Sequence, residues 1–140
     1  MTLLDTNLLV YAAADGAPLR ERARAALAGA ARDGPLTISR QVLREYLAVM
    51  TRQQIWGKPL DLAQATADAA TFARLFTVLE DGPLVWNELV ALSQNHSFAG
   101  RQVHDANIVA TMPAHGERRL LTFNDADFRR FSGRIDVVAP

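Results

Sequence analysis

The chain has 140 residues, of which 49% are apolar and 21% are charged, close to the composition of an ordinary globular domain. We therefore expect residues 1–140 to form a single domain around one hydrophobic core. This composition excludes a disordered chain, a collagen-like fibre and a coiled coil. The absence of cysteine excludes a disulfide scaffold, a thiolate zinc site and a cysteine nucleophile.

Fifteen basic and fifteen acidic residues cancel, so net charge provides no general attraction to nucleic acid. The basic residues are fourteen arginines and one lysine, a bias that phosphate binding and codon usage explain equally well. The amino-terminal segment lacks the basic region of a signal peptide. No apolar stretch approaches the ~20 residues of a membrane span. We therefore expect a soluble, cytoplasmic protein with no membrane partner.

Short apolar segments alternate with helical patterns, which is typical of a parallel sheet covered by helices on both faces. The predicted strands are Thr2–Leu4, Leu36–Ile38, Thr77–Leu79, Leu120–Phe123 and Ile135–Val138. The predicted helices are Leu8–Ala14, one from about Leu19 to Asp33, one from Ser39 to about Gln53, Leu60–Phe76, Leu84 to about Asn95, one starting near Val103 or His104, and a turn or two over Asp125–Phe131. Ligands of such sheets bind outside the carboxyl ends of the strands.

Asp5 directly follows the first predicted strand and begins the sequence Asp5-Thr6-Asn7. All three residue types cap helices well, so Asp5 can be interpreted as a helix N-cap or as a functional carboxylate. Three capping residues in a row are more than one helix end requires. The residues alone leave both interpretations open.

Two further carboxylates lie in predicted helices. Glu45 falls at the edge of the apolar arc of its helix, where a solvated glutamate is the common case. Asp105 shares a helical stripe with Ile108, Val109 and Met112, which directs it toward the buried face. Because a buried carboxylate is costly when it stands alone, Asp105 must cap the helix, pair with a cation or bind a metal.

A last polar cluster, Thr122-Phe123-Asn124-Asp125-Ala126-Asp127-Phe128, begins within the fourth predicted strand and runs past its end, and turn chemistry alone could explain it. Carboxylates gathered at one edge of a parallel sheet would repel one another without a cation between them. Oxygen ligands without cysteine favour Mg²⁺ or Mn²⁺ over zinc. Such a site suits metal-assisted hydrolysis of a phosphodiester.

Four segments in this order, LLDTNLLVY, VLREYLAV, HDANIVAT and LLTFNDADF, resemble the PIN-domain ribonucleases, in particular the VapC-type toxins of type II toxin–antitoxin pairs. The resemblance extends from Leu3 to Val138. It implies a three-layer α/β/α fold with a short central parallel sheet. It also implies a cytoplasmic endoribonuclease that hydrolyses tRNA or ribosomal RNA with water activated by Mg²⁺ or Mn²⁺. The implied partners are a second copy of the chain and a VapB-like antitoxin that blocks the active site.

The resemblance implies roles for particular residues: metal binding by Asp5, Glu45 and Asp105, positioning of water or substrate by Asn124, and auxiliary roles for Thr6 and Asn7. Asn124 stands where the family pattern has a fourth acidic residue, and Asp127, or with less support Asp125, could supply the missing charge. Pro113 is a second departure, because proline should kink its helix or end it early. Arg44 and Arg101 are candidates for substrate contact.

The helix Arg20–Arg32 and the exposed parts of Gln53–Leu62, with Ile55 and Trp56, could serve the partner contacts or belong to core and surface. Two other functions compete with the nuclease. A phosphatase of the haloacid-dehalogenase type would use Asp5 as nucleophile, but it needs an aspartate at the position of Asn7. A non-catalytic PIN-like domain would bind RNA or a protein, and would keep its RNA affinity when metal is chelated.

Overall fold

Five short parallel strands form one sheet in the order β3-β2-β1-β4-β5, in a computed structural model that describes residues 1–140. The strands are β1 (Thr2–Leu4), β2 (Leu36–Ser39), β3 (Thr77–Leu79), β4 (Arg119–Leu121) and β5 (Asp136–Val138). In the register, Leu3 of β1 lies opposite Thr37 of β2 on one side and Leu120 of β4 on the other. The predicted parallel sheet is confirmed.

Seven helices surround the sheet. They are α1 (Thr6–Ala13), α2 (Arg20–Asp33), α3 (Arg40–Met50), α4 (Leu62–Leu75), α5 (Pro83–Ser93), α6 (Gln102–Ala114) and α7 (Asp125–Phe128), the last followed by a 3₁₀ turn over Arg129–Phe131. Helices α1 and α2, α1 and α3, and α3 and α4 pack on one another, and α5 packs on α6. The result is the predicted three-layer α/β/α architecture. None of the helices combines the length and apolar character needed to cross a membrane.

Two element boundaries differ from the predicted ones in ways that affect the site. Strand β4 ends at Leu121, so Thr122 and Phe123 leave the sheet earlier than predicted. Helix α6 begins at Gln102, which places Asp105 inside its first turn, and Arg101 occupies the N-cap position. The interpretation of Asp105 as the N-cap is therefore wrong.

Buried apolar residues from the strands and from α1, α3 and α6 form one continuous core. Leu3, Leu4 and Leu120 are fully buried in neighbouring strands, as expected for a parallel sheet covered on both faces. Tyr46 of α3 is also fully buried, and its hydroxyl donates a hydrogen bond of 2.8 Å to Asp68 of α4. This bond satisfies the one polar atom of a large core side chain.

Helix α3 has a sharply defined start and one buried face. The Ser39 hydroxyl accepts a hydrogen bond of 3.1 Å from the backbone N–H of Val42, as an N-cap does. Val42, Tyr46 and Met50 follow at spacings of four and are buried. Glu45 lies beside this buried face and is half-buried. The cap and the buried face together fix where along the sheet edge Glu45 projects.

The variant Ser39→Ala should lower the free energy of unfolding by about 1 kcal/mol, because the first turn of α3 loses its cap. Urea denaturation would measure the change. The matched control is Ser93→Ala at the exposed end of α5, which should stay within about 0.5 kcal/mol of the wild type. Equal effects of the two substitutions would contradict the assigned role of Ser39.

Candidate active site

Asp5 lies at the carboxyl end of β1. The order of the strands reverses between β1 and β4, and α/β proteins bind their ligands at such a topological switch point. Its Oδ1 accepts a hydrogen bond of 2.7 Å from the backbone N–H of Thr6. Its Oδ2 accepts bonds of 2.6 Å from the Thr122 hydroxyl and 3.1 Å from the Asn7 side-chain amide. Asp5 thus caps α1, which confirms the N-cap interpretation, and its carboxylate also lies at the ligand-binding edge of the sheet. Its functional role stays a prediction.

The Asp5 side chain is only 5% exposed and forms no ion pair. Burial raises its pKa from the usual 3.8 to about 6. The hydrogen bonds from Thr122 and Thr6 lower the pKa, whereas the charges of Glu45 and Asp105 raise it. Burial is thus the main reason for the raised pKa of Asp5, and the negative charges of Glu45 and Asp105 add to it.

Glu45 of α3 is tied to Asp5 through a single residue. The Thr6 hydroxyl donates a hydrogen bond of 2.7 Å to Oε2 of Glu45, while the Thr6 backbone N–H donates to Asp5. The other carboxylate oxygen of Glu45, Oε1, accepts a bond of 2.7 Å from the Gln41 side-chain amide. Both oxygens of Glu45 are thus held by neutral donors, and its charge is not cancelled by a cation.

Asp105 in the first turn of α6 is half-buried, and burial is the main reason why its pKa is raised. The charge of Asp127 raises this pKa further, ahead of the charge of Glu45. The positive charges of Arg130 and His104 lower the pKa of Asp105. The acidic centre therefore extends from Asp5 and Glu45 through Asp105 to the turn that follows β4.

The turn after β4 separates the two candidates for an additional acidic residue. Asp125 forms an ion pair with Arg129 one helical turn later, so its charge is largely compensated. Asp127 forms no ion pair, and its negative charge raises the pKa of Asp105. The geometry therefore favours Asp127 over Asp125 as the residue that adds charge to the centre.

Thr122 organises this turn, and although the sequence places it in the polar cluster at the end of the fourth predicted strand, no role was predicted for it. Its hydroxyl donates to Asp5 and accepts a hydrogen bond of 3.0 Å from the backbone N–H of Asn124. The Asn7 side-chain oxygen accepts a bond of 3.1 Å from the backbone N–H of Phe123. Asn124 itself is exposed, and its side chain forms no hydrogen bond within the protein. Its amide is therefore free to contact a ligand at the rim.

Arginines surround the acidic centre, but they differ in how they are engaged. Arg44 lies 3.9 Å from a carboxylate oxygen of Asp81, whereas Arg101 and Arg130 form no ion pair. Arg130 donates a hydrogen bond of 3.0 Å to the Ser97 carbonyl. No sequence signal distinguished it from the other arginines. A cavity of about 490 Å³ is lined by Arg101, Gln102, Asp105, Ala126, Asp127 and Arg130.

The side chains at this edge offer oxygen donors from carboxylates, hydroxyls and amides, the set that Mg²⁺ and Mn²⁺ prefer. No three acidic or histidine side chains lie close enough together to form a complete ligand set. A Mg²⁺ site commonly uses one or two carboxylates and fills its remaining positions with water and substrate phosphate. A carboxylate oxygen that accepts one hydrogen bond also keeps a second lone pair. The donor chemistry thus fits a divalent cation.

A parallel α/β/α sheet with carboxylates at its switch point defines a class of proteins that act on ligands at the carboxyl edge of the strands. The model of the family described as PIN domain matches residues 2–134. This chain belongs to the PIN-domain family.

Individual proteins agree with this assignment. The chain is 29% identical over 133 residues to Ribonuclease VapC24 of Mycobacterium tuberculosis, which covers 94% of this chain and 91% of that protein. The VapBC2 structure from Rickettsia felis, bound to a promoter DNA fragment, has a TM-score of 0.69 at 19% identity and covers 99% of this chain and 97% of that one. Mycobacterium tuberculosis VapC20, a sarcin-ricin loop cleaving toxin, has a TM-score of 0.66 at 17% identity. The match covers 86% of this chain and 87% of VapC20. The predicted resemblance is confirmed.

The metal-free protein should lose stability as the pH rises through the range set by Asp5. The unfolded chain releases this proton near pH 3.8 and the folded chain near 6, so the folded state binds more protons in between. The contribution of Asp5 to stability is therefore present below pH 3.8 and is lost as the pH rises through 6. Thermal unfolding in EDTA should show a contribution that falls with rising pH and that is smaller in Asp5→Asn, where of the carboxylates only Asp105 keeps a raised pKa. Identical pH profiles for the two proteins would contradict this assignment.

Proposed function

We propose that this chain is a cytoplasmic ribonuclease toxin of the VapC type, in which residues 1–140 act as one PIN domain. The observation that carries the proposal is the buried Asp5 carboxylate, which has no cationic partner and is repelled by Glu45 and Asp105. The family and the 29% identity to Ribonuclease VapC24 support the reaction class. The substrate that we propose is RNA of the tRNA or ribosomal RNA class.

We further propose that Mg²⁺ or Mn²⁺ is required and is held among Asp5, Glu45 and Asp105, with water and substrate phosphate completing the ligand set that these side chains alone do not form. When bound, such an ion lowers the pKa of a water molecule and neutralises charge on the phosphate. Thr6 and Thr122 orient two of these carboxylates, Glu45 and Asp5, with hydroxyl donors, so both side chains are held in place. Neutral donors suit this purpose because they leave the negative charge available to the cation.

The residues at the rim have complementary roles in the proposal. Asn124 positions water or substrate with its free side-chain amide. Asp127 adds negative charge beside Asp105. Arg101 and Arg130 contact phosphate groups of the RNA, since neither guanidinium is engaged by a carboxylate of the protein. Arg44 is less available for this contact, because it lies beside Asp81.

The variant Asp5→Ala should abolish RNA cleavage, because the central carboxylate of the site is removed. Purified protein without antitoxin would be incubated with total RNA and Mg²⁺, Mn²⁺ or EDTA. The matched control Asp33→Asn removes an exposed carboxylate at the end of α2 and should cleave like the wild type. Cleavage by Asp5→Ala at the wild-type rate would refute the assigned site. Metal-independent RNA binding without cleavage by the wild type would favour a binding module.

We propose that a VapB-like antitoxin binds in a cavity of about 830 Å³ beside α4, which includes part of the predicted contact segment Gln53–Leu62. Met50, Trp56, Leu60 and Phe72 provide its apolar walls. A row of aromatic contacts leads from this cavity toward the acidic centre. The rings of Trp56 and Tyr11 lie 5.8 Å apart, and those of Tyr11 and Phe123 lie 5.2 Å apart. An antitoxin segment along this row would bring a basic side chain to the carboxylates.

We propose that the chain also forms a homodimer, through the exposed apolar residues of α5 and α6. Leu84, Trp86 and Val90 of α5 and Val103 of α6 are exposed, and Trp86 and Val103 line the same cavity. The helix Arg20–Arg32, which was the other candidate, exposes no large apolar side chain. Contiguous exposed apolar surface is typical of protein interfaces.

Light scattering after size exclusion would test the dimer. The Trp86 side chain is 63% exposed, so Trp86→Asp should preserve the fold and convert the dimer to a monomer. The matched control is Ile55→Asp in the loop after α3, where the wild-type side chain is 99% exposed. This variant should remain a dimer. A monomeric wild type, or a monomer only with Ile55→Asp, would contradict the proposed interface.

A further inference from the structure

Gln41 connects the two helices that carry Glu45 and Asp105. Its side chain is only 5% exposed, which is unusual for a glutamine near the start of a helix. Its amide nitrogen donates a hydrogen bond of 2.7 Å to Oε1 of Glu45 and another of 2.8 Å to the backbone carbonyl of His104. Since His104 immediately precedes Asp105, one amide group is bonded to one carboxylate and to the backbone beside another.

Asn107 of α6 fixes the orientation of the Gln41 side chain. The Asn107 amide nitrogen donates 2.7 Å to the side-chain oxygen of Gln41 and 3.2 Å to Oδ2 of Asp81. If the Gln41 amide were turned over, its oxygen would face the Glu45 carboxylate and the His104 carbonyl, which are both acceptors. The network therefore has one favourable arrangement, in which Gln41 directs its donors at Glu45.

We propose that Gln41, supported by Asn107, is a positioning residue that fixes Glu45 relative to Asp105 and thereby sets the affinity of the site for its divalent cation. This inference rests on the proposed function of the site. Without Gln41, Glu45 would keep only its bond to Thr6 and would gain rotamer freedom. Ordering the side chain in advance reduces the entropy that is lost when the cation binds.

The choice of an amide for this task has a chemical reason. A guanidinium in the place of Gln41 would hold Glu45 at least as firmly, but it would compete with the cation for the carboxylate charge. Arg44 lies next to Glu45 in the sequence, yet its guanidinium is directed to Asp81. Glu45 is therefore held on this side by a group that orders its position without cancelling its charge.

The variant Gln41→Met tests the proposal, because it keeps the approximate shape and removes all three hydrogen bonds. Its matched control is Thr37→Val, which removes the buried hydrogen bond of 3.0 Å between Thr37 and Glu117, away from the carboxyl edge of the sheet. Mn²⁺ binding would be measured by calorimetry and by the electron paramagnetic resonance signal of free Mn²⁺. Gln41→Met should weaken Mn²⁺ affinity on the order of tenfold, whereas Thr37→Val should leave it unchanged. Melting temperatures of both metal-free variants would be recorded alongside.

Kinetics would separate positioning from a general loss of structure. With Gln41→Met, kcat at low Mn²⁺ should fall and should recover at high Mn²⁺, while KM for RNA stays constant. In the Glu45→Gln background, Gln41→Met should change Mn²⁺ affinity no further, because its effect acts through the Glu45 carboxylate. An equal loss in both backgrounds, or no loss in either, would overturn the proposal.

A second variant keeps the test decisive if Gln41→Met does not fold. Asn107→Ala leaves the Gln41 side-chain oxygen without its donor and should weaken Mn²⁺ affinity in the same direction by a smaller factor. Unchanged affinity in that folded variant would overturn the proposal. These measurements distinguish a failure of the proposed function from a failure of the role of Gln41. If the wild type binds no Mn²⁺, the proposed function fails, and the inference fails with it. If Glu45→Gln weakens Mn²⁺ binding and the Gln41 and Asn107 variants do not, only the role of Gln41 is refuted.

Discussion

The buried carboxylate of Asp5, at the switch point of the sheet, is held by hydrogen bonds from neutral donors and by no ion pair. The arrangement of the other side chains at the carboxyl edge follows from this constraint. A hydroxyl, an amide and a backbone N–H reach its two oxygens from Thr122, Asn7 and Thr6. Each donor lowers the cost of the charge, yet none cancels it, and burial still raises the pKa of Asp5 to about 6. In the folded protein the ionised form of Asp5 is therefore destabilised by burial and by neighbouring negative charges, and a bound cation would offset this destabilisation.

The arginines also leave the central carboxylates without an ion pair, although the chain contains fourteen of them. Arg44 is directed to Asp81, and Arg129 pairs with Asp125. Arg130 lies near enough to Asp105 to lower its pKa, but its guanidinium is held by a backbone carbonyl and forms no ion pair. Positive charge is thus kept at the rim, where it can meet a polyanion, and is kept off the central carboxylates.

The sequence predicted the fold and the residue types of the site because both have local signals. Fully buried parallel strands read as short apolar runs, and the Ser39 cap marks the start of α3 at the predicted residue. The predicted start of α6, near Val103 or His104, lies one or two residues after the observed start at Gln102. Arg101 occupies the N-cap position without a side-chain hydrogen bond, so the sequence contains no capping residue that would mark this start. Gln41 had no signal at all, since its burial depends on a contact with α6 that is 63 residues away.

The separations along the chain also explain how the site depends on the rest of the structure. The bond from Thr6 to Glu45 spans 39 residues, and the bond from Thr122 to Asp5 spans 117. The first bond requires α1 and α3 to pack together, and the second requires β4 to lie beside β1. Because the carboxylates repel one another, the packing of the core must offset their repulsion. The dependence therefore runs in one direction. The core can do without the charge on Asp5, whereas the geometry of the carboxylates exists only while Leu3 and Leu120 hold the central strands together.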